Sequence, residues 1–301
     1  MLDYRVSTFM AVIEEGTLRK ASRRLGITQP AVSQHLKSLE AEYGLPLFDH
    51  KGRRLVVNDA GRMLYAAAEH SAALFGRFRR ESVALHGGKR HYVMGATLTI
   101  GEFILPYYLG AYRDENPGLE LTIRIENTVS VLALLDRGDI DLALVEGPFD
   151  RTRYQCRLFV EDEMIFIGDH RTVGPRVHEI TPELLARTRL ILREQGSGTR
   201  YYWEEYCARR GIQLPPSSVT MEVGSLSAIK SLAEAGVGCS VMSRRAVAKE
   251  LLMGTLATRP FSTGPLMREM FFVFREESPM AFIDDFIAFV RHREEPTATL
   301  S

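Results

Sequence analysis

Residues 17–43, TLRKASRRLGITQPAVSQHLKSLEAEY, restrict what this chain can fold into more than any other stretch. Leu18, Ala21, Ser22 and Leu25 recur at helical spacing and share one face. Gly26 follows where a left-handed residue ends a helix. Thr28 is placed to cap a second helix, with Pro30 in its first turn, where no backbone N–H is needed. In that second helix Val32, Leu36, Leu39 and Tyr43 form an apolar stripe, while Pro30, Ser33, Gln34 and Lys37 point the opposite way. Helix, tight turn and helix with a free polar face is the arrangement that lays a recognition helix in the DNA major groove. Gln34 suits the paired edge groups of an adenine, Ser33 a base or a phosphate, and Lys37 a guanine or a phosphate. Arg19, Lys20, Arg23 and Arg24 lie on the outer side of the first helix, toward phosphates. Periodicity alone also fits a helical hairpin with a solvated charged face.

Charge distribution favours the DNA reading. The whole chain is neutral, but residues 1–90 hold 15 Lys and Arg against 9 Asp and Glu, so the remainder is acidic. A basic module on an acidic body is expected of a DNA reader fused to a second function. No apolar run is long enough to span a bilayer, and Asp3 and Arg5 interrupt any export signal, which predicts a cytoplasmic protein without membrane contact. Cys156, Cys207 and Cys239 lack metal-ligand spacing and are expected to be reduced, buried thiols; a redox-sensing pair is the alternative. The His residues show no HExxH pattern, so neither metal nor cofactor is expected.

Around the helix pair, residues 2–15 form a helix with Leu2, Val6, Phe9, Met10 and Ile13 on one face. Residues 45–58 read as a two-stranded wing whose tip carries Lys51, Arg53 and Arg54, toward the DNA backbone or a minor groove. Residues 59–85 form a long helix capped by Asn58 or Asp59. Its Ala60, Leu64, Ala67, Ser71, Leu74 and Phe78 make a coiled-coil seam, read as the dimerisation face. The run 86–90 marks a hinge.

From residue 91 the pattern alternates strand and helix twice over, which predicts two α/β halves with parallel pairing and a cleft between them. Ligands of such folds sit beyond the carboxyl ends of strands, against helix N-termini. Four strand-to-helix junctions carry hydroxyl or amide groups: residues 96–101, 127–130, 196–200 and 224–225. Thr97, Leu98, Thr99, Ile100, Thr128, Ser130, Ser197, Thr199 and Ser225 are therefore the candidate effector residues, with Arg200 available for charge. Each Ser or Thr alone is also an ordinary N-cap. GSGTR at 196–200 lacks the Lys of a phosphate loop, and there is no GxSxG elbow or His–acid pair, so the chain is not read as an enzyme.

Ala21-Ser22-x-x-Leu25-x-x-Thr28-Gln29-Pro30-Ala31-Val32-Ser33, with Leu36 and Leu39-Glu40 after it, resembles the N-terminal signature of LysR-type transcriptional regulators. Gly44-Leu45-x-Leu47-Phe48, Arg53-Arg54 and Ala60-Gly61 resemble that family's wing and the start of its linker helix. Asn58-Asp59 stands where the family often has Thr-Pro, and Gln34 where Arg is common. The resemblance implies a mainly α winged helix-turn-helix domain over 1–58, a linker and dimerisation helix over 59–88, and an α/β regulatory domain over 91–301. That domain would resemble periplasmic solute-binding proteins, with one subdomain at 91–161 plus 267–295 and the other at 162–266. It also implies a homo-dimer or homo-tetramer on an inverted-repeat operator, with RNA polymerase as a further partner. Arg19, Thr28, Gln29, Pro30, Ser33, Gln34, Lys37, Arg53 and Arg54 are the expected DNA contacts. The run ATLTIGEFILP resembles the first effector loop of regulators of sulfur assimilation or carbon fixation, which points to a small carboxylate, phosphate or sulfur-containing anion. The rival from another class is an enzyme or solute-binding domain with a DNA-binding appendage.

Overall fold

The computed structural model describes residues 3–51, 54–85 and 90–294. The chain divides near residue 88 into an N-terminal and a C-terminal unit. The N-terminal unit opens with α1 (Tyr4–Glu15), whose first turn is capped by the Asp3 carboxylate accepting from Arg5 N–H at 2.8 Å. α2 (Leu18–Leu25) and α3 (Gln29–Tyr43) follow, capped by the Thr17 and Thr28 hydroxyls. Gly26 between them has φ +66°, a backbone that a side chain disfavours. Phe9, Ala21, Val32, Leu36, Leu39 and Leu47 make the core. The stripe on α3 stops at Leu39, because Tyr43 in the last turn is exposed.

β1 (Phe48–Lys51) and β2 (Arg54–Val57) pair antiparallel as the wing. Asn58 then caps α4 (Asp59–Leu85), accepting from Gly61 N–H at 2.9 Å, so the cap is Asn58 and not Asp59. Gly61 is required by close approach: a Cβ there would lie 2.3 Å from the Leu47 carbonyl oxygen. That contact fixes where the long helix leaves the wing.

The C-terminal unit is built on two long strands, β6 (Gln155–Gly168) and β11 (Leu266–Phe274), which pair antiparallel and run through both halves. In the first half, β3 (Arg90–Thr97) lies between β4 (Leu119–Glu126) and β5 (Leu142–Glu146) in parallel, and β5 joins β11 antiparallel. α5 (Leu105–Glu115) and α11 (Met280–Glu294) cover one face through Tyr108, Tyr112, Phe282 and Phe286; α6 (Thr128–Asp136) covers the other through Val131 and Leu135. A π turn at Ile100–Ile104 precedes α5, with Leu105 N–H reaching the Ile100 carbonyl. Pro106 accounts for it: the ring has no N–H for the Glu102 carbonyl and crowds it, so the turn upstream widens.

The second half is assembled on the far end of β6. It holds α7 (Pro182–Arg187), β7 (Leu190–Leu192), α8 (Gly198–Arg209), β8 (Val219–Glu222), α9 (Leu226–Glu234), β9 (Ser240–Ser243), α10 (Ala248–Met253) and β10 (Ala257–Arg259). β9 and β10 pair antiparallel with β6, and β7 pairs parallel with β8. Its cores centre on Trp203, Phe166 and Phe261 on one side and Ile229 and Met242 on the other. The long alternating elements agree with the sequence expectation. The short α7, α10 and β10 were not expected, since segments of six residues or fewer show too little of a period.

Candidate DNA-reading face and ligand cleft

On α3, Gln29, Pro30, Gln34 and Lys37 are exposed and Ser33 is half-buried. Val32, Leu36 and Leu39 hold the opposite side in the core, which fixes the helix's rotation and turns Gln34 and Lys37 outward. His35 anchors the inner flank through Thr8, 3.0 Å away, and edge-on packing with Tyr4. Among the described residues the side chains of Arg19, Gln29, Ser33, Gln34 and Lys37 make no internal hydrogen bond or ion pair, so their donors and acceptors are open to solvent. The exposed Thr28 hydroxyl accepts from Ala31 N–H at 3.3 Å and keeps its own proton. Arg24 departs from expectation: its guanidinium pairs with Glu14 and Glu15, tying α2 to α1 instead of standing free for phosphate. In the wing, Lys51 lies opposite Arg54 in register. Arg53 lies outside the described residues, as do the side chains of Lys51 and Arg54.

The seam read on α4 separates into two faces. Ala60, Leu64, Tyr65 and Ala68 pack on the domain's own core, so Leu64 is not available to a partner. Ala67 is exposed, Ser71 is half-buried, and Leu74 and Phe78 are exposed together with Met63 and Phe75.

In the C-terminal unit, three of the four junctions meet at one residue the sequence reading passed over, Glu146 at the end of β5. It is 2% exposed. The Thr97 hydroxyl donates to its carboxylate, and the Thr128 hydroxyl donates to its backbone carbonyl at 2.6 Å. From the second half, Gly198 at the start of α8 packs so closely that a Cβ would lie 2.3 Å from the same carbonyl oxygen. Gly147 faces Gly198 across the same contact, since its Cβ would sit 2.9 Å from the Gly198 Cα. Behind Glu146 lies Arg268 of β11, fully buried. Its Nη1 donates to the Thr199 hydroxyl at 2.9 Å and stands 3.5 Å from Glu146, and its Nε donates to Asp162 of β6 at 2.9 Å. Ser243 completes the set, donating to Asp162 at 2.7 Å. A buried guanidinium thus ties both halves to the two strands that connect them.

The remaining candidates divide by what they touch. Thr99 and Ser197 begin helical segments without a side-chain capping bond, and both are buried. Their hydroxyls, and that of the half-buried Ser130, have no internal partner among the described residues. Ile100 is a core residue, packed with Tyr108 and Phe286, and the half-buried Leu98 packs against the Ile229 core of the second half. Ser225 is exposed and caps α9, accepting from Ala228 N–H at 3.3 Å; no contact brings it to the Glu146 group. Arg200 is not free charge either, since it pairs with Glu204 at 2.8 Å and with Glu222.

Across the halves, Asn127 lies against Gly196, whose Cβ would sit 3.8 Å from its Nδ2. Burial pushes the Glu194 carboxyl up, but hydrogen bonds and charge from Arg193, at 2.8 and 2.9 Å, outweigh this and hold it below the usual range. A cavity of about 630 Å³ opens beside the charged group, lined by Gly147, Phe149, Tyr201, Tyr202 and Arg268 among others. Cys207 and Cys239 are buried, and their thiols are pushed up to about 12, chiefly by burial. Among the described residues no group of three or more His, Cys, Asp or Glu is placed to hold a metal, and no helix is long and apolar enough to cross a membrane.

Glu146 left a trace in the sequence: an acid closing the apolar run DLALVE stands at the carboxyl end of a buried strand, where α/β folds bind ligands. Asp162 and Arg268 left none, being 106 residues apart.

Two family models match: the bacterial regulatory helix-turn-helix protein, lysR family, over residues 5–62, and the LysR substrate binding domain over 86–295. Similar curated proteins include the HTH-type transcriptional activator CmpR of Synechocystis, 28% identical over 93% of this chain and 91% of its own length. The RuBisCO operon transcriptional regulator of Acidithiobacillus ferrooxidans is 29% identical over 90% and 87%. Among solved structures, an OxyR cysteine mutant of Corynebacterium glutamicum with bound H2O2 superposes with a TM-score of 0.60 at 27% identity, covering 96% of this chain and 91% of that one.

Proposed function

The chain belongs to the LysR family of helix-turn-helix transcriptional regulators, and from that premise we propose how its two units divide the work. It is a DNA-binding regulator with an effector-binding domain, not an enzyme, and its likeness to carbon-fixation regulators agrees with the resemblance of its effector loop. α3 enters the major groove of an inverted-repeat operator, with Gln34 and Lys37 toward base edges and Arg19, Thr28, Gln29, Pro30 and Ser33 placing the helix on the backbone. Two such helices are needed a helical turn or a multiple apart, so the protein works in the cytoplasm as a homo-dimer or homo-tetramer. Ala67, Leu74, Phe75 and Phe78 of α4 are the contact to a second copy; their exposure, with Ala60, Leu64 and Ala68 of the same helix packed on the N-terminal core, supports this. RNA polymerase is the further partner.

A small anionic effector lies where Thr99 and Ser197 open two helical segments with unengaged hydroxyls. It favours one arrangement of the regulatory domain over another and so shifts operator binding. The observation that carries the DNA reading is the outer face of α3, held in place by its buried side, with Gln34 and Lys37 free of partners among the described residues. Gel-shift titration against the chain's own upstream duplex tests it. Gln34→Ala and Lys37→Ala should each weaken binding by about 1–3 kcal/mol, and Lys37→Ala should also lower the salt slope by roughly 1. Wild-type binding by both variants at matched salt removes the assignment.

A further inference from the structure

Glu146 is an unexpected group to find in a cleft read as anion-binding, and the inference drawn from it rests on that reading. A hydroxyl has one proton. Thr97 gives its proton to the Glu146 carboxylate and Thr128 gives its own to the Glu146 carbonyl, so neither hydroxyl has one left for a ligand. That leaves only lone pairs on the Thr97 oxygen. Three arginines of this region, Arg268, Arg193 and Arg200, do not offset this. Arg268 faces both Asp162 and Glu146, Arg193 is held by Glu194, and Arg200 by Glu204 and Glu222. Counted by formal charge, Glu146 and Asp162 against Arg268 leave a buried excess of one negative charge.

Acceptors and a negative charge, set beside the hydroxyls of Thr99 and Ser197 and the N-terminus of α8, recognise a particular chemistry. We propose that Glu146 is a specificity-determining residue that makes the cleft select oxyanions carrying their own hydrogen-bond donor, such as a protonated phosphate or a hydroxy acid, over fully ionised oxyanions such as sulfate. An oxyanion bearing a proton or hydroxyl gives it to the Thr97 and Glu146 acceptors while its other oxygens take the hydroxyls and N–H groups. Sulfate at neutral pH has no proton to give and meets those acceptors as like charge.

The full-length protein is titrated calorimetrically at pH 7 with inorganic phosphate and with sulfate at matched ionic strength. Wild type should prefer phosphate at least tenfold. In Glu146→Gln the amide oxygen takes the place facing Arg268 and the amide N–H₂ donates to Thr97, which frees the Thr97 proton toward the cleft without leaving a buried group unpaired. Sulfate affinity should then rise about tenfold and the preference should collapse toward one. A wild type that binds both anions equally, or a folded variant that keeps the full preference, overturns the inference and leaves the anionic reading standing. Binding of neither anion by wild type at millimolar concentration removes both. Because the wild-type ratio is itself decisive, the inference stays falsifiable even if the variant does not fold.

Discussion

The outer face of α3 and the Glu146 cleft are both surfaces for a charged partner, and they are built in opposite ways. On α3 the polar groups are idle: among the described residues Gln34 and Lys37 have no partner. In the cleft Thr97, Thr128 and Thr199 are already engaged by Glu146 and Arg268. Exposure explains the difference. An exposed group is satisfied by water until DNA arrives, whereas a buried one without a partner costs roughly 1–3 kcal/mol. Thr97, Thr128 and Thr199 therefore meet internal partners, whereas the buried Thr99 and Ser197 hydroxyls stay open for a ligand.

The comparison breaks most sharply at Arg268. Arg268→Met leaves Asp162 and Glu146 buried without their cation, which should cost the regulatory domain roughly 3–5 kcal/mol. Trp203, the one tryptophan, is buried in that domain, so its fluorescence in a denaturant titration reports the loss directly. Lys37→Ala, removing an idle cation, should leave the same titration unchanged within about 0.5 kcal/mol. Equal losses would show that the two surfaces are not built differently.

A smaller effect sharpens the electrostatic side. Glu194 is held below the usual carboxylate range chiefly by Arg193, against the opposing pull of burial. A depressed native pKa means the unfolded chain binds the proton first as pH falls. The stabilisation is thus complete above the ordinary Glu range, near about 4.3, and is lost as acid protonates the folded state below it. Arg193→Gln should flatten that acid limb of the Trp203-monitored stability curve, and an unchanged limb would remove Arg193 from the account.

The two surfaces also differed in how legible they were. The reading face was visible because local rules agree over residues 17–43: capping Thr17 and Thr28, turn-forming Gly26, and an apolar stripe whose opposite side must face outward. The strand-to-helix junctions of the cleft were visible for the same reason. What occupies their hydroxyls was not. The Arg268–Asp162 pair joins residues 106 apart in sequence, and no local period encodes which carboxylate a buried arginine will face. Ile100 and Leu98 sit in a hydroxyl-rich run, where proximity in sequence conceals that their side chains pack on two different cores. Leu64 fits a coiled-coil seam as well as it fits the edge of a helical core, and only packing distinguishes them.

The smallest expected effect concerns sulfur, and it tests whether likeness to an H2O2-bound OxyR structure carries its chemistry along. Peroxide attacks thiolate, so a sensing cysteine needs a depressed pKa and access. Cys207 and Cys239 have neither: both are buried, and with pKa values of about 12 only about one thiol in 10⁵ is ionised at pH 7. Cys156 is half-buried and joined to neither in a disulfide. Mild peroxide should therefore change operator affinity by less than about twofold, and brief alkylation of the native protein should label Cys156 ahead of the other two by mass spectrometry. A large peroxide response that Cys207→Ser or Cys239→Ser abolishes would mean that these thiols become accessible in a second arrangement of the regulatory domain. The redox reading would then return on the same scaffold.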